Sequence, residues 1–359
     1  MFVYELEKHV KRIARNTYGV IALVVIVTAP FALNGCGADA DDQGLTEINF
    51  LLDWKPQMEQ AGFVVALEKG YYREVGLKVN FLEGQGATTT AALVGTGQYP
   101  IGIASGGAVV IARSRGAKPV SVALINQRSP TVIFALASTG IRTPSDLVGR
   151  SVALTKSGVK YDEYRALMAK LGIDRSSINE VDVRKAVVPS LMSGSVDAAL
   201  GYTEDQPVLV ELQGHEVVRI PMHRYGVNIL STNIVSNEDF IATQPDIIHR
   251  FVEASLKGWK RAVEYPDEAV MIYTSRYPES DENFVRENFR QFRPILFSAD
   301  TDTLGLGAQT LEGFRETERT LSELGIIDQR VNPEYAFTNE FLPRVFVDRP
   351  EVVDLEDTW

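Results

Sequence analysis

The chain has 359 residues, 45% hydrophobic and 23% charged, which is enough to bury more than one core and excludes a single small domain. Its formal net charge is -11 although Lys8, Lys11, Arg12 and Arg15 crowd the first 35 positions, so the rest is more acidic still, which argues against a nucleic-acid partner. Cys36 is the sole cysteine, which excludes an intramolecular disulfide and a thiolate metal cluster.

Residues 1–35 read as an export signal: a basic segment precedes "VIALVVIVTAPFAL", an apolar run too short to span a bilayer comfortably. The run ends in Leu33-Asn34-Gly35-Cys36, which resembles a bacterial lipobox, where the cysteine becomes the lipidated first residue of the mature protein. Small and acidic residues fill 36–45, a tether. The protein is expected to be exported, anchored by lipid to the outer face of the bacterial cytoplasmic membrane or in the periplasm.

Beyond the tether, residues 47–52 predict a buried strand, 59–71 a helix and 77–82 a strand of alternating faces. Helix 88–95, strand "YPIGIAS", helix 108–115 and strand 119–126 continue the alternation. It restarts with "TVIFALAS", then a short helix and strand in "TPSDLVGRSVALT", a helix over 161–171, the strand "VDAALGY", a helix over 204–213 and the strand "EVVRI". Residues 227–235 have strand character, and the remainder is helical. In "PDIIHRFVEASLKGWKRAVEYPDEAV", Ile248, Phe251, Val252, Ser255, Trp259 and Ala262 recur at helical spacing, which marks Trp259 as core. Further helices are expected around 282–292 and 310–324.

Two successive α/β units predict two open sheets with flanking helices, the chain crossing from one lobe to the other near 127–131 and returning near 225–232. Lobe one is then discontinuous, residues 46–128 and 231–342, lobe two covers 129–230, and 343–359 form a tail. This layout resembles that of periplasmic-type solute-binding proteins, whose lobes close by hinge motion and whose ligand loops follow the carboxyl ends of strands.

On that plan Trp54, after the first strand, faces the cleft, while Gln57 and Gln60 lie at a helix N-terminus, where free N–H groups favour anionic or carbonyl-bearing ligands. Gln85, between Gly84 and Gly86, and Ser105, in "ASGGA", mark two more junctions of this kind. No GxxxxGK[ST] loop or GxSxG elbow occurs. His215, His223 and His249 are the only histidines after the tether, and none forms an i, i+4 metal pair.

The segments "LLDWKPQMEQAGFVVALEKGYYREVGLKVNFLEG", "GYTEDQPVLVELQG", "NEDFIATQPDIIHRFVEASLKGWKRAVEYPDEAV" and "YAFTNEFL" resemble, in order, the thiamine-pyrimidine-synthase-like family of solute-binding proteins. The resemblance spans about residues 47–342. It implies a two-lobe periplasmic-binding-protein-like fold of type II. It further implies capture of a small heteroaromatic compound, a thiamine pyrimidine precursor or a riboflavin-like molecule, for an ABC importer whose permease subunits are partners. The expected protein is a monomer without cofactor and is not an enzyme. The synthase branch of the family uses a lysine carrying pyridoxal phosphate and a histidine four residues later, and the matching positions here are Ala104 and Ala108. A cysteine-rich run of that branch is replaced by "GVNILSTNIVS". The precursor-binding branch commonly has Asn and His where Gln57 and Gln60 stand, and Asn-Glu-Pro where Asp205-Gln206-Pro207 stands. A flat ring would stack on Trp54. Gln57, Gln60, Asp205 and Gln206 would supply in-plane donors and acceptors, and Tyr161, Tyr202 and Tyr225 would close the pocket from lobe two. The alternatives are a pyridoxal-phosphate-using synthase and an alkanesulfonate- or taurine-type binding protein.

Overall fold

The computed structural model describes residues 44–184 and 186–348. The signal, the tether, Cys36 and residues 349–359 lie outside the described residues.

The described chain builds two five-stranded sheets. In the first, β1 (Thr46–Leu51) pairs in parallel with β2 (Leu77–Leu82) and β3 (Ile101–Ser105). Between β1 and β2 the chain forms a 3-10 turn, Met58–Gln60, and helices α1 (Ala61–Glu68) and α2 (Tyr71–Glu74). The single helix expected over 59–71 is thus broken, and the break before α2 falls at Gly70, whose φ of 75° suits glycine. Helices α3 (Ala87–Gly95) and α4 (Gly106–Ser114) precede and follow β3 and lead to β4 (Pro119–Leu124).

The second sheet contains β5 (Thr131–Leu136), β6 (Ser151–Leu154), β7 (Asn179–Asp182), β8 (Ala198–Tyr202) and β9 (Val217–Pro221), in the order β7-β6-β8-β5-β9. Helices α5 (Val159–Leu171), α6 (Val187–Met192) and α7 (Gln206–Glu211) join these strands. Both β7 and α6 escape the sequence reading. The edge strand β7, "NEVD", carries no apolar alternation, and α6 contains Pro189, which is tolerated because it lies in the first turn. The strand expected over 227–235 forms only as β10 (Thr232–Asn237), since residues 226–231 give their backbone groups to the crossing and not to a ladder.

β10 enters the first sheet antiparallel between β3 and β4, giving the order β2-β1-β3-β10-β4, and β5 likewise lies antiparallel between β8 and β9. Each of these strands directly follows a passage of the chain between sheets. The remaining helices are α8 (Glu238–Thr243), α9 (Pro245–Glu264), α10 (Pro266–Arg276), α11 (Glu282–Phe292), α12 (Ala299–Leu304) and α13 (Leu311–Glu323).

Apolar clusters cover both faces of each sheet. On one face of the first, Phe50 of β1 meets the rings of Phe63, Phe81 and Phe251 at 4.9–5.6 Å. Trp259 of α9 is 1% exposed, stacked on Phe292 and edge-on to Phe63. Helices α1 and α9 come close because Gly62 has no side chain: a Cβ there would lie 2.1 Å from the Trp259 indole.

Two passages join the sheets and run side by side. Asn228 ties them together, accepting from the Ser129 N–H at 2.6 Å and donating to the Gln127 carbonyl at 3.3 Å. Glu163 of α5, fully buried, grips both: one carboxylate oxygen accepts from the Ser129 hydroxyl at 2.8 Å and the other from the Ile229 N–H at 3.1 Å.

Candidate functional site

The carboxyl ends of β1, β3 and β8 and the amino ends of β5 and β10 meet at one cleft. A cavity of about 70 Å³ there is lined from the first sheet by Asp53, Ser105 and Thr232 and from the second by Thr131 and Tyr202, with Ser129 and Ile229 of the passages between them. The loop after β1 is held by backbone bonds: the Gly84 N–H donates to the Trp54 carbonyl at 3.3 Å and the Gly86 N–H to the Asp53 carbonyl at 2.7 Å. Gly84 is required for this zipper, because a Cβ would sit 1.9 Å from the Leu52 oxygen. The Tyr273 hydroxyl donates to the Pro56 carbonyl at 3.1 Å and pins the loop's far end.

On this loop Trp54 stands 50% exposed, so it is not a core residue. Gln57 is exposed at the start of the 3-10 turn. Gln60 is buried, and its side-chain oxygen accepts the Gln57 N–H at 2.6 Å, a capping role that occupies its acceptor. Gln85 is exposed on the glycine loop. Ser105 lines the cavity and caps α4, its hydroxyl accepting the Ala108 N–H at 3.1 Å.

In the second sheet Tyr202 lies on the cavity wall at the end of β8. Gln206 is consumed locally: its side-chain oxygen accepts the Tyr202 N–H at 2.9 Å, while its amide nitrogen donates to Asp205. Tyr161 is turned to its own lobe, stacked on Tyr164, with its hydroxyl bonded to Arg175 and to Glu180 at 3.3 Å. Tyr225 packs on the apolar cluster beneath β5, β6 and β8, with Arg224 and Asp146 as its charged neighbours. Ser105 and Tyr202 therefore line the cleft, Trp54 directly follows its lining residue Asp53, and Tyr161 and Tyr225 are turned to their own lobe.

Residues that the sequence reading passed over complete the electrostatics. Asp53 follows β1, Glu59 lies in the 3-10 turn, Glu204 follows β8 and Lys160 opens α5. Burial lifts the Asp53 carboxyl to about 6. Burial, then the charges of Asp205 and Asp53, lifts Glu59 well above the usual range. Glu204 is raised further by burial and by Glu59, and Asp205 is raised by burial. Burial lowers Lys160 against the pull of Asp205, Glu204 and Glu59. Its ammonium lies 4.1 Å over the Tyr202 ring, a cation–π contact. Helix α11 bridges the two sides, with Asn288 donating to the Glu204 carbonyl at 2.8 Å. The signal available in sequence was the placement of Asp53 and Glu204, each one or two residues past an apolar strand.

This fold is that of the periplasmic binding proteins. Among solved structures, the periplasmic aliphatic sulphonate binding protein SsuA from Escherichia coli superposes with a TM-score of 0.67 at 14% identity, covering 81% of this chain and 96% of that one, a likeness of fold alone. The profile of the family described as NMT1/THI5 like matches residues 57–269, and the chain belongs to that family. It is 26% identical over 322 residues to the formylaminopyrimidine-binding protein of Halalkalibacterium halodurans, covering 88% of this chain and 98% of that one. It is 27% identical over 308 residues to the riboflavin-binding protein RibY of Chloroflexus aurantiacus, covering 83% and 87%. Other relatives are named 4-amino-5-hydroxymethyl-2-methylpyrimidine phosphate synthase. Among the described residues, no helix is long and apolar enough to cross a membrane, and no group of histidine, cysteine and carboxylate side chains has the arrangement of a metal site.

Proposed function

We propose that the protein is a solute-binding protein that captures a small heteroaromatic compound between its two lobes and presents it to the permease of an ABC importer. Lobe one comprises residues 46–128 and 231–342 and lobe two 129–230; a lipid on Cys36 holds the protein to the outer face of the cytoplasmic membrane. The carrying observation is the interlobe cavity at the strand ends, walled by Tyr202 and by Asp53, the neighbour in sequence of the half-exposed Trp54. An aromatic ring beside an apolar, partly polar cleft favours a flat ligand by stacking, worth about 0.5–1.5 kcal/mol beyond burial. The pyrimidine and riboflavin named in the two relatives are both flat heteroaromatics.

A synthase reading finds little support, since Ala104 and Ala108 replace the lysine and histidine that the family resemblance would require. A sulfonate ligand is disfavoured by the carboxylates of Asp53, Glu59, Glu204 and Asp205 around the cleft. The test is mass spectrometry of small molecules co-purifying with the natively expressed protein, followed by calorimetry with the compound found. A heteroaromatic bound one to one supports the proposal; an aliphatic sulfonate, or covalent capture of pyridoxal phosphate, refutes it.

A further inference from the structure

The two passages that join the sheets wall a second cavity besides the interlobe one. Along the later passage the lining alternates: Ile229 and Ser231 line the interlobe cavity, Asn228 and Leu230 the other. Successive residues of extended chain face opposite ways, so the passages form a wall with a cavity on each side. The rear cavity, also lined by Gln127 and Arg128, measures about 310 Å³, within the roughly 300–1,000 Å³ range of small-molecule sites. His223, in the turn after β9, and Ser298 and Asp300, at the start of α12, close it from the two sides.

Most of its polar groups are spent on the protein itself. The Gln127 amide nitrogen donates to the Leu124 and Ala308 carbonyls at 3.1 and 3.0 Å, and its oxygen accepts the Ser298 hydroxyl at 2.9 Å. Asn228 is occupied in tying the passages together. His223 brings no charge, since burial and the neighbouring Arg128 lower its pKa to about 4 and its Nδ1–H donates to the Ser129 carbonyl at 3.3 Å. Two charges are left over. Among the described residues, neither the Arg128 guanidinium nor the Asp300 carboxylate has an ion-pair or hydrogen-bond partner, although both line this one cavity. A simple anion would answer Arg128 and be repelled by Asp300, and a simple amine the reverse. A molecule that carries both charges answers both, and Leu124, Leu230 and Ala308 offer apolar surface to the rest of it.

We infer that the cavity behind the passages is a second ligand site, for a small zwitterion of the α-amino acid type whose carboxylate meets Arg128 and whose ammonium meets Asp300. The guanidinium fork matches a carboxylate in a bidentate way, and each contact is a charge-assisted hydrogen bond. The site takes a different molecule from the one proposed for the interlobe cleft, so either assignment can fail alone.

The probes are the standard L-α-amino acids, titrated into the purified protein by calorimetry up to millimolar concentration. At least one should bind. For that amino acid, the matching amine without the carboxylate and the matching acid without the amine should each bind at least about tenfold weaker, the loss of one charge-assisted contact. Arg128→Ala and Asp300→Ala should each weaken the amino acid to a similar extent. Hydrogen exchange supplies a reading that stands should either variant fail to fold: the bound amino acid should slow exchange of the backbone amides of residues 127–129 and 228–230, on the wall it touches. Binding by none of the amino acids, equal binding of the singly charged analogues, or unchanged affinity in both variants overturns this inference and leaves the heteroaromatic reading in place. Protection confined to the strand ends around Asp53 and Tyr202 would put the amino acid in the interlobe cleft and overturn both.

Discussion

The carboxylate that grips both passages between the sheets makes a quantitative prediction. Glu163 is raised from its ordinary 4.5 to about 7, chiefly by burial, which outweighs the hydrogen bonds from Ser129 and Ile229. A carboxyl whose pKa is raised on folding contributes stability that is complete below the unfolded value and lost as pH rises through the folded one. At roughly 1.4 kcal/mol per pKa unit, the protein should lose about 3 kcal/mol from this group between pH 4.5 and pH 8. Glu163→Gln removes the titration but keeps the geometry, since the amide oxygen can accept the Ile229 N–H and the amide nitrogen can donate to the Ser129 oxygen. The melting temperatures of variant and parent should coincide near pH 4.5 and separate to about 5 °C in favour of the variant at pH 8, given an unfolding entropy of about 2 cal/mol/K per residue. Asp53 and Glu59 titrate in the same direction in both proteins, so only the difference is diagnostic. A difference that does not change with pH, or a variant less stable throughout, would show that Glu163 is held ionised by its donors and refute the reasoning.

Trp54→Ala should weaken ligand binding about tenfold or more by calorimetry, whereas Trp259→Ala should cost roughly 3–5 kcal/mol of folding stability, as expected for a fully packed ring. Gly62→Ala should destabilise by ~1–3 kcal/mol in chemical denaturation, because the new methyl group meets the Trp259 indole and the backbones of α1 and α9 must part. Cys36→Ser should move the protein from the membrane fraction to the soluble fraction after a high-salt wash; retention on the membrane would rule out the lipid anchor.

Where residues repeat with a clean period, the sequence reading and the structure agree closely. The strand expected over 77–82 is β2, and the apolar stripe through Ile248, Phe251, Val252, Ser255, Trp259 and Ala262 is the buried face of α9. Elements stabilised by their neighbours were hidden: β7 is polar and held by its ladder to β6, and α6 carries a proline that reads as a breaker. The cleft was legible only in part. Trp54 and Tyr202 stand out as aromatics at strand ends, but the acidic cluster joins residues from distant segments whose individual charges look like ordinary surface. Gln60 and Gln206 carried the right chemistry for a ligand, yet the backbone claims much of it through a cap and a local turn. Tyr161 is claimed by Arg175, 14 residues further along in the same lobe, a pairing that spacing alone does not foretell.

β10 is the fourth strand of five across the first sheet and the last strand among the described residues. Until it arrives, β3 and β4 have no hydrogen bonds to each other, and the sheet exists as the piece β2-β1-β3 and a detached β4. The second sheet, made of residues 131–221, is complete in the chain before β10 is made. Synthesis from the amino terminus therefore leaves two open strand edges waiting while a whole sheet is added, a period in which another chain can pair with them. Refolding yield should accordingly fall with protein concentration, and a chain ended before Thr232 should aggregate while its second sheet is intact.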